Sequence, residues 1–277
     1  MMNQELNRLE QEVFSNRLDY HDVKYPIYIL SKGRAGNVSS YNNLKDMAPT
    51  IFVEPQDFDE YADYYGSETL HKLPENNQGI VYVRNYIKNY SISVGDEFHW
   101  QLDDNIINFR IRENNKNVKC DAVNNLGMVE YITDQYDNIG ASGLCHTMFA
   151  FAKGNTVDIN KQVYSCILVN NTIPVFWRED VVEDTDYSLQ LLSKKYCTLL
   201  FNRMLIEKEA TAVGNGGNSN TDDFRLKRSK GLQNHWPGWF KIKEEYGRVK
   251  IAPSRIWKTF QQVPHKKGEQ DIFDMFT

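Results

Sequence analysis

Asp103, Asp104 and Asn105 close a short apolar run in WQLDDNII, Trp100 to Ile107. Strands of a buried parallel sheet read as continuous apolar runs, and ligands of open α/β sheets sit beyond their carboxyl ends. The triplet is therefore expected at the mouth of a cleft. Its oxygens suit a hard divalent cation, Mg²⁺ or Mn²⁺, that keeps coordination sites free for a diphosphate. This is the reading of a metal and nucleotide-sugar site. The same residue types also form plain polar turns after strands.

A second acidic cluster lies in WREDVVEDTDYSLQLL, where Glu183, Asp184 and Asp186 precede an apolar helical stretch. Carboxylates at a helix N-terminus are favoured by the dipole and by capping, so a structural role is open there. The chemical role is a base that takes the proton from an acceptor hydroxyl, which is the minimum for single-displacement glycosyl transfer opposite a metal-bound leaving group. A third segment, SKGRAGN, places Ser31, Lys32, Gly33 and Arg34 directly after the apolar YPIYIL. Glycine there allows close backbone approach, and the cations and hydroxyl suit a nucleotide, although the phosphate-loop spacing is absent. His235 is the histidine best placed to complete a metal site from a distant part of the chain, and Gly143, in GASGL, allows close approach of a sugar or acceptor.

Elements must hold these groups. Tyr25 to Leu30, Thr50 to Val53, Leu70 to Leu73 and Glu97 to Leu102 read as strands, with helices over Val38 to Met47, Gln56 to Tyr65 and Tyr82 to Val94 between them. That alternation predicts an α/β fold, a central mostly parallel sheet flanked by helices. Further on, a helix is expected over Ala122 to Tyr136, a turn around Gly140 to Leu144, and strands at Phe109 to Arg112, Val163 to Val169, Ile173 to Trp177 and Tyr196 to Met204. Met1 to Val23 has helical spacing, and Thr211 to Asp223 has the Gly, Asn and Ser content of a flexible loop. The predicted organisation is a helical extension at 1–23, a nucleotide-sugar-binding and catalytic core at 24–210, and a loop with a basic aromatic segment at 211–277.

With 41% hydrophobic residues and 13% aromatics, 277 residues are ample for a buried core. No apolar run approaches the roughly 20 residues of a bilayer span and the first residues are polar, so a cytoplasmic protein is expected. Cys120, Cys145, Cys166 and Cys197 lack the paired spacing of zinc or redox sites and read as free thiols. The net charge of −5 is uneven: residues 1–186 hold 16 Lys and Arg against 28 Asp and Glu (−12), and residues 187–277 hold 16 against 9 (+7). A basic end with interleaved aromatics, here Lys227, Arg228, Lys230, Trp236 and Trp239, suits backbone contact and base stacking on nucleic acid.

The order of these segments resembles the GT-A glycosyltransferases, and YPIYILSKGRAGN with WREDVVEDTDYSLQLL most resembles the TET-associated group, which includes phage enzymes that glycosylate hydroxymethylated DNA bases and the glucosyltransferase of base J synthesis. The resemblance covers roughly Tyr25 to Phe240. It implies a GT-A-like fold and transfer of a hexose from a nucleotide diphosphate sugar, UDP-glucose by expectation, to a hydroxymethylated pyrimidine in DNA. Carried over by position, it assigns Ser31, Lys32, Gly33, Arg34, Asp103 and Asp104 to the nucleotide sugar. Asp103, Asn105 and His235 go to the metal, Asp184 with Glu183 to catalysis, and Asp186, Gly143, Trp236, Lys227 and Arg228 to the acceptor. Asn105 stands where many GT-A enzymes carry Asp, which removes a charge from the metal site. Competing readings are the same chemistry on a protein or polysaccharide, a metal-dependent phosphotransferase or nuclease, and a non-catalytic nucleic-acid-binding module.

Overall fold

The computed structural model describes residues 22–150, 155–209, 222–245, 248–253 and 256–268, together with Asn7 and Gln11. The helix expected over residues 1–23 and the loop expected at 211–223 therefore lie almost wholly outside the described residues. The remainder is built on one sheet whose strands are β1 (Ile27–Leu30), β2 (Thr50–Val53), β3 (Leu70–Lys72), β4 (Phe98–Asp103), β5 (Ile106–Glu113), β6 (Lys116–Cys120), β7 (Ile139–His146), β8 (Val157–Ile159), β9 (Cys166–Asn170) and β10 (Cys197–Lys208). Their order is β3-β2-β1-β4-β9-β7-β10-β5-β6, with β8 on β10. Pairing between neighbours gives β1 to β4, β6, β7 and β10 one direction and β5, β8 and β9 the other, so seven of these ten strands run one way. This is the α/β architecture expected.

The α-helices that accompany the strands among the described residues are α1 (Ser39–Leu44), α2 (Phe58–Tyr65), α3 (Ile80–Ser93), α4 (Ala122–Thr133), α5 (Thr147–Ala150), α6 (Glu183–Ser193) and α7 (Asp222–His235). Apolar continuity explains the middle of the sheet. Ile29, Trp100, Leu102, Leu144, Cys166, Leu168, Leu199 and Phe201 lie fully buried in one cluster with the inner faces of the helices. Two expectations fail. Gly140 to Leu144 is not a turn but the buried middle of β7, where small residues are required because a Cβ on Gly143 would meet Val163 and the Cys166 carbonyl at 3.1–3.2 Å. Ile173 to Trp177 is not a strand: carbonyls of Ile173, Val175 and Trp177 are claimed by side chains of helix α3.

The basic C-terminal segment packs on the sheet layer through Leu232, Trp236, Trp239, Phe240, Trp257 and Phe260, which gather around Val181 and Leu189 of the α6 region. A hairpin follows α7, of β11 (Phe240–Glu245) and β12 (Arg248–Pro253). The four cysteines are free thiols, three of them buried. Among the described residues no helix is long and apolar enough to cross a membrane.

Candidate active site at the carboxyl edge of the sheet

Because β1, β2, β4, β7 and β10 run in one direction, their carboxyl ends open on one edge, and the antiparallel β9 brings its amino end to the same edge. Ser31, Glu54, Asp103, His146, Ser165 and Lys208 are the residues that result. A register shift between Glu207 and Lys208 marks a bulge in β10. Bulges re-aim side chains. Here Glu207 pairs outward with Arg110 at 2.8 Å, and Lys208 turns in, its Nζ 2.6 Å from Asp103 Oδ2 and 3.2 Å from Ser165 Oγ.

Helix α3 supplies the other half of the frame. Its buried stripe is Val81, Arg84, Ile87, Lys88 and Ser91, so two cations lie on the face that enters the protein. Arg84 Nη2 stands 3.2 Å from Asp103 Oδ1 and 3.6 Å from Asp184 Oδ1. Asn85 mimics a strand partner to Trp177, accepting its N–H and donating to its C=O, both at 2.9 Å. Lys88 donates to the carbonyls of Asn170, Ile173 and Val175 at 3.3, 2.8 and 2.8 Å. Burial lowers its pKa to about 8. One helix face thus fixes the 170–177 segment, which leads into α6, and ties the two acidic clusters together through Arg84.

The SKGRAGN segment folds around Asp104. Ser31 Oγ donates to Asp104 Oδ2 at 2.8 Å, Arg34 Nε lies 3.6 Å from the same oxygen, and Tyr61 Oη meets Ser31 Oγ at 2.7 Å while accepting the Arg34 N–H at 2.8 Å. Gly33 takes the left-handed backbone that lets its N–H reach Asp57 at 3.1 Å. Lys32 reaches Glu54 at 2.9 Å from a half-exposed position. Of the sequence-predicted donor-site residues, Ser31, Arg34 and Asp104 meet at one point, Lys32 and Gly33 lie on its rim, and Asp103 turns to Lys208 and Arg84.

Charge explains how these carboxyls differ. Burial would raise Asp103, but Lys208 and then Arg84 outweigh it and bring its pKa to about 2. Burial raises Asp104 to about 6, with Arg34 and Ser31 offsetting only part of the effect and Asp103 adding to it. Burial likewise raises Asp184 to about 6, against Arg84 and together with Asp103.

The oxygens available to a metal ion follow from these contacts. Both oxygens of Asp103 already meet cations. Among the described residues, no three His, Cys, Asp and Glu side chains form a ready metal cluster. The Asp104 pair and hydrogen bond use Oδ2, and the buried Oδ1 of Asn105 meets no hydrogen-bond donor. These oxygens of Asp104 and Asn105 are of the kind that Mg²⁺ or Mn²⁺ takes, one or two from the protein with the rest of the shell from phosphate and water. The other two residues expected at the metal have partners within the protein. Asp103 is ion-paired within the protein, and His235 Nδ1 lies 3.1 Å from Arg178 Nη1, with that guanidinium bound to Asp186.

Other expectations shift in the same way. Asp186 is 0% exposed and accepts from Arg178 Nε at 2.8 Å, Gln190 Nε2 at 2.8 Å and Trp236 Nε1 at 2.7 Å, so its oxygens are filled by the protein, while Trp236 stays partly exposed with its indole N–H engaged on Asp186. Glu183, expected in catalysis beside Asp184, pairs with Arg228, expected at the acceptor, and Arg228 Nε also donates to the Val181 carbonyl at 2.6 Å, which fastens α7 to the start of α6. Gly143 is closed in by β9 and Val163. Lys227 remains at the surface, 2.7 Å from Asp180. Asp184 alone of its cluster lines a cavity of about 620 Å³, with His146, Met148, Phe149, Tyr164, Ser165 and Lys208.

Residues 25–217 match the family model of the TET-associated glycosyltransferases. The chain belongs to this family. It is a glycosyltransferase, and no curated protein matches it. Similar solved structures include a CMP:2-keto-3-deoxy-manno-octonic acid synthetase complexed with CTP, at a TM-score of 0.41 and 11% identity over 77% of this chain and 99% of that one. Another is a glucose-1-phosphate thymidylyltransferase from Bacillus anthracis in complex with sucrose, at 0.42 and 13% over 70% and 88%.

Sequence reading missed Arg84, His146 and Lys208 in this glycosyltransferase. Arg84 carried a signal, since it and Lys88 fall four apart on the apolar stripe of a predicted helix. His146 ends β7, whose GASGL stretch reads in sequence as a turn. Lys208 depends on a bulge and on a pairing between residues 105 positions apart, which no local pattern encodes.

Proposed function

We propose that this TET-associated glycosyltransferase moves a hexose from a nucleotide diphosphate sugar, UDP-glucose by preference, to the hydroxymethyl oxygen of a modified pyrimidine in DNA. One observation carries the reading: a single guanidinium, Arg84, touches both Asp103 on the donor side and Asp184 on the cavity side, at 3.2 and 3.6 Å. Donor and acceptor sites separated by one side chain bring the sugar carbon within reach of a hydroxyl held at Asp184.

In the step proposed, the acceptor oxygen bonds to the anomeric carbon as the bond from that carbon to the diphosphate oxygen breaks. The electron pair leaves on the diphosphate, and the acceptor proton passes to Asp184. Buried at a pKa of about 6, Asp184 is mostly ionised at neutral pH and is a stronger base than a solvent-exposed carboxylate. Lys208 and Arg34, held on Asp103 and Asp104, would stand beside the negative charge that develops on the leaving group, and a pre-placed cation there needs no reorganisation during the step. Asp104 and Asn105 would hold a divalent ion, which when bound supplies Lewis-acid neutralisation of the diphosphate. Arg84 orients both carboxylates and, 2% exposed, contributes no contact of its own.

Release of UDP from UDP-glucose tests this reading. Release that requires hydroxymethylated DNA, and that falls on addition of EDTA or in Asp104→Ala, is the expected result. Release that is indifferent to DNA, or label appearing only on a protein or glycan, overturns the acceptor; equal UDP affinity with and without EDTA overturns the metal.

A further inference from the structure

The cavity beside Asp184 has a wall that the transfer step does not use. Where β7 ends, the chain turns at once into α5, and this sets Met148 and Phe149 at the cavity rim with 72% and 49% of their surface exposed. Two adjacent large apolar side chains left in water at the mouth of a site call for a ligand surface to cover them. Behind them the Phe149 ring lies nearly parallel to the His146 imidazole, at 6.0 Å and 23°, and Tyr164 meets that imidazole edge-on at 4.8 Å. His146 Nε2 is out of solvent and has no hydrogen-bond partner. A buried polar atom without a partner is costly in a finished structure. Burial lowers the His146 pKa to about 4, so the ring is neutral at physiological pH, one nitrogen a donor and the other an acceptor.

Asp184 keeps only 17% of its side chain exposed, recessed behind this rim. A base stacked and paired in a duplex offers only its groove edge and a hydroxymethyl arm one carbon long. The groove floor lies about 8.5 Å deep. A carboxylate in a recess cannot reach that oxygen while the base stays in the stack, whereas an extruded base presents a flat face, which aromatic side chains bind with little regard to sequence. The cavity volume of about 620 Å³ lies in the range of about 300–1,000 Å³ that small-ligand sites occupy.

We infer that the cavity is an acceptor-base pocket: the modified pyrimidine leaves its strand, its ring lies against Phe149 and Met148, its polar edge meets His146 Nε2, and its hydroxymethyl oxygen reaches Asp184. Phe149 and His146 are then acceptor-binding residues, and the inference rests on the DNA-base acceptor proposed above.

The test is transfer from UDP-[¹⁴C]glucose by the full chain to one oligonucleotide carrying 5-hydroxymethylcytosine or 5-hydroxymethyluracil. The target base is presented single-stranded, paired, or opposite an abasic site. Unpaired and abasic-opposed targets should react with kcat/KM about tenfold above the paired target, because extrusion then costs less. Phe149→Ala should raise KM for DNA about tenfold and leave UDP affinity by calorimetry unchanged, Phe149→Tyr should restore it, and His146→Phe should lose discrimination between modified bases. Phe149 is half exposed, so its truncation does not threaten the fold. Transfer that is equal for paired and abasic-opposed targets, or a Phe149→Ala enzyme with unaltered KM, overturns the pocket while leaving the DNA acceptor standing. A wild-type enzyme that hydrolyses UDP-glucose yet labels none of the three oligonucleotides overturns the acceptor itself, and the pocket with it.

Discussion

Asp184 and Asp186 stand two residues apart in the first turn of one helix, yet their surroundings are opposite. Asp186 is sealed from solvent, with a bidentate guanidinium, an indole N–H and an amide N–H on its two oxygens. Asp184 faces a cavity, has one guanidinium at 3.6 Å, and keeps Oδ1 without a hydrogen bond. A carboxylate whose acceptor capacity is filled by the protein holds elements together, here α6 to α7. One left under-satisfied beside a cavity retains its capacity for a substrate, at a cost in stability. Composition cannot tell the two apart, because both are Asp in EDTD.

The largest expected effect separates them by rate. Asp184→Asn keeps the shape and removes the basicity, and should slow transfer by about a hundredfold or more while UDP and DNA affinities hold. Steady-state kinetics with calorimetry measures both. Asp186→Asn should do the reverse: it leaves the buried edge of Arg178 without its counter-charge and should cost about 2–4 kcal/mol, lowering Tm by about 5–10 °C, with the kcat of the folded enzyme kept. Thermal unfolding followed by circular dichroism reads this. A large loss of kcat at unchanged Tm in Asp186→Asn would erase the distinction.

The distinction sharpens with pH. Burial lifts Asp184 to about 6, so kcat/KM for the acceptor should rise about tenfold per pH unit below that value and level off above it. Asp104 also lies near 6, and the limb belongs to Asp184 only where Asp184→Asn abolishes it. The smallest effect is on stability. With a folded pKa above its unfolded one, Asp184 favours the native state when protonated, and that contribution is lost as pH rises through about 6. Asp184→Asn should therefore be the more stable protein at pH 8, by about 2–5 °C in Tm, with the difference shrinking toward pH 4.

Much of this arrangement was legible in the sequence, for reasons that mark where such reading stops. Apolar runs gave β1, β2, β4 and β10, and the rule that ligands gather at strand carboxyl ends placed Asp103, Asp104 and Ser31 together. The same rule applied to β7 would have found His146, but glycine and serine in GASGL read as a turn, although the tight contacts of Gly140 and Gly143 require small residues within a strand. Ile173 to Trp177 has strand-like residues, yet Asn85 and Lys88 take its backbone groups and hold it as an irregular segment. The roles of Glu183, Asp186 and Arg228 depend on α7 folding back onto α6, a contact across more than 40 positions with no local trace.

Single-turnover transfer to hydroxymethylated DNA from pH 5 to 8, in the wild type and in Asp184→Asn, tests the central claim most directly. A wild-type rate that rises through an apparent pKa near 6, and an Asp184→Asn rate that is at least about a hundredfold lower and flat with pH, is the outcome expected of a cavity-facing base. An Asp184→Asn enzyme that keeps the wild-type rate, or a slow one that keeps the same pH limb, would contradict it and put the base elsewhere.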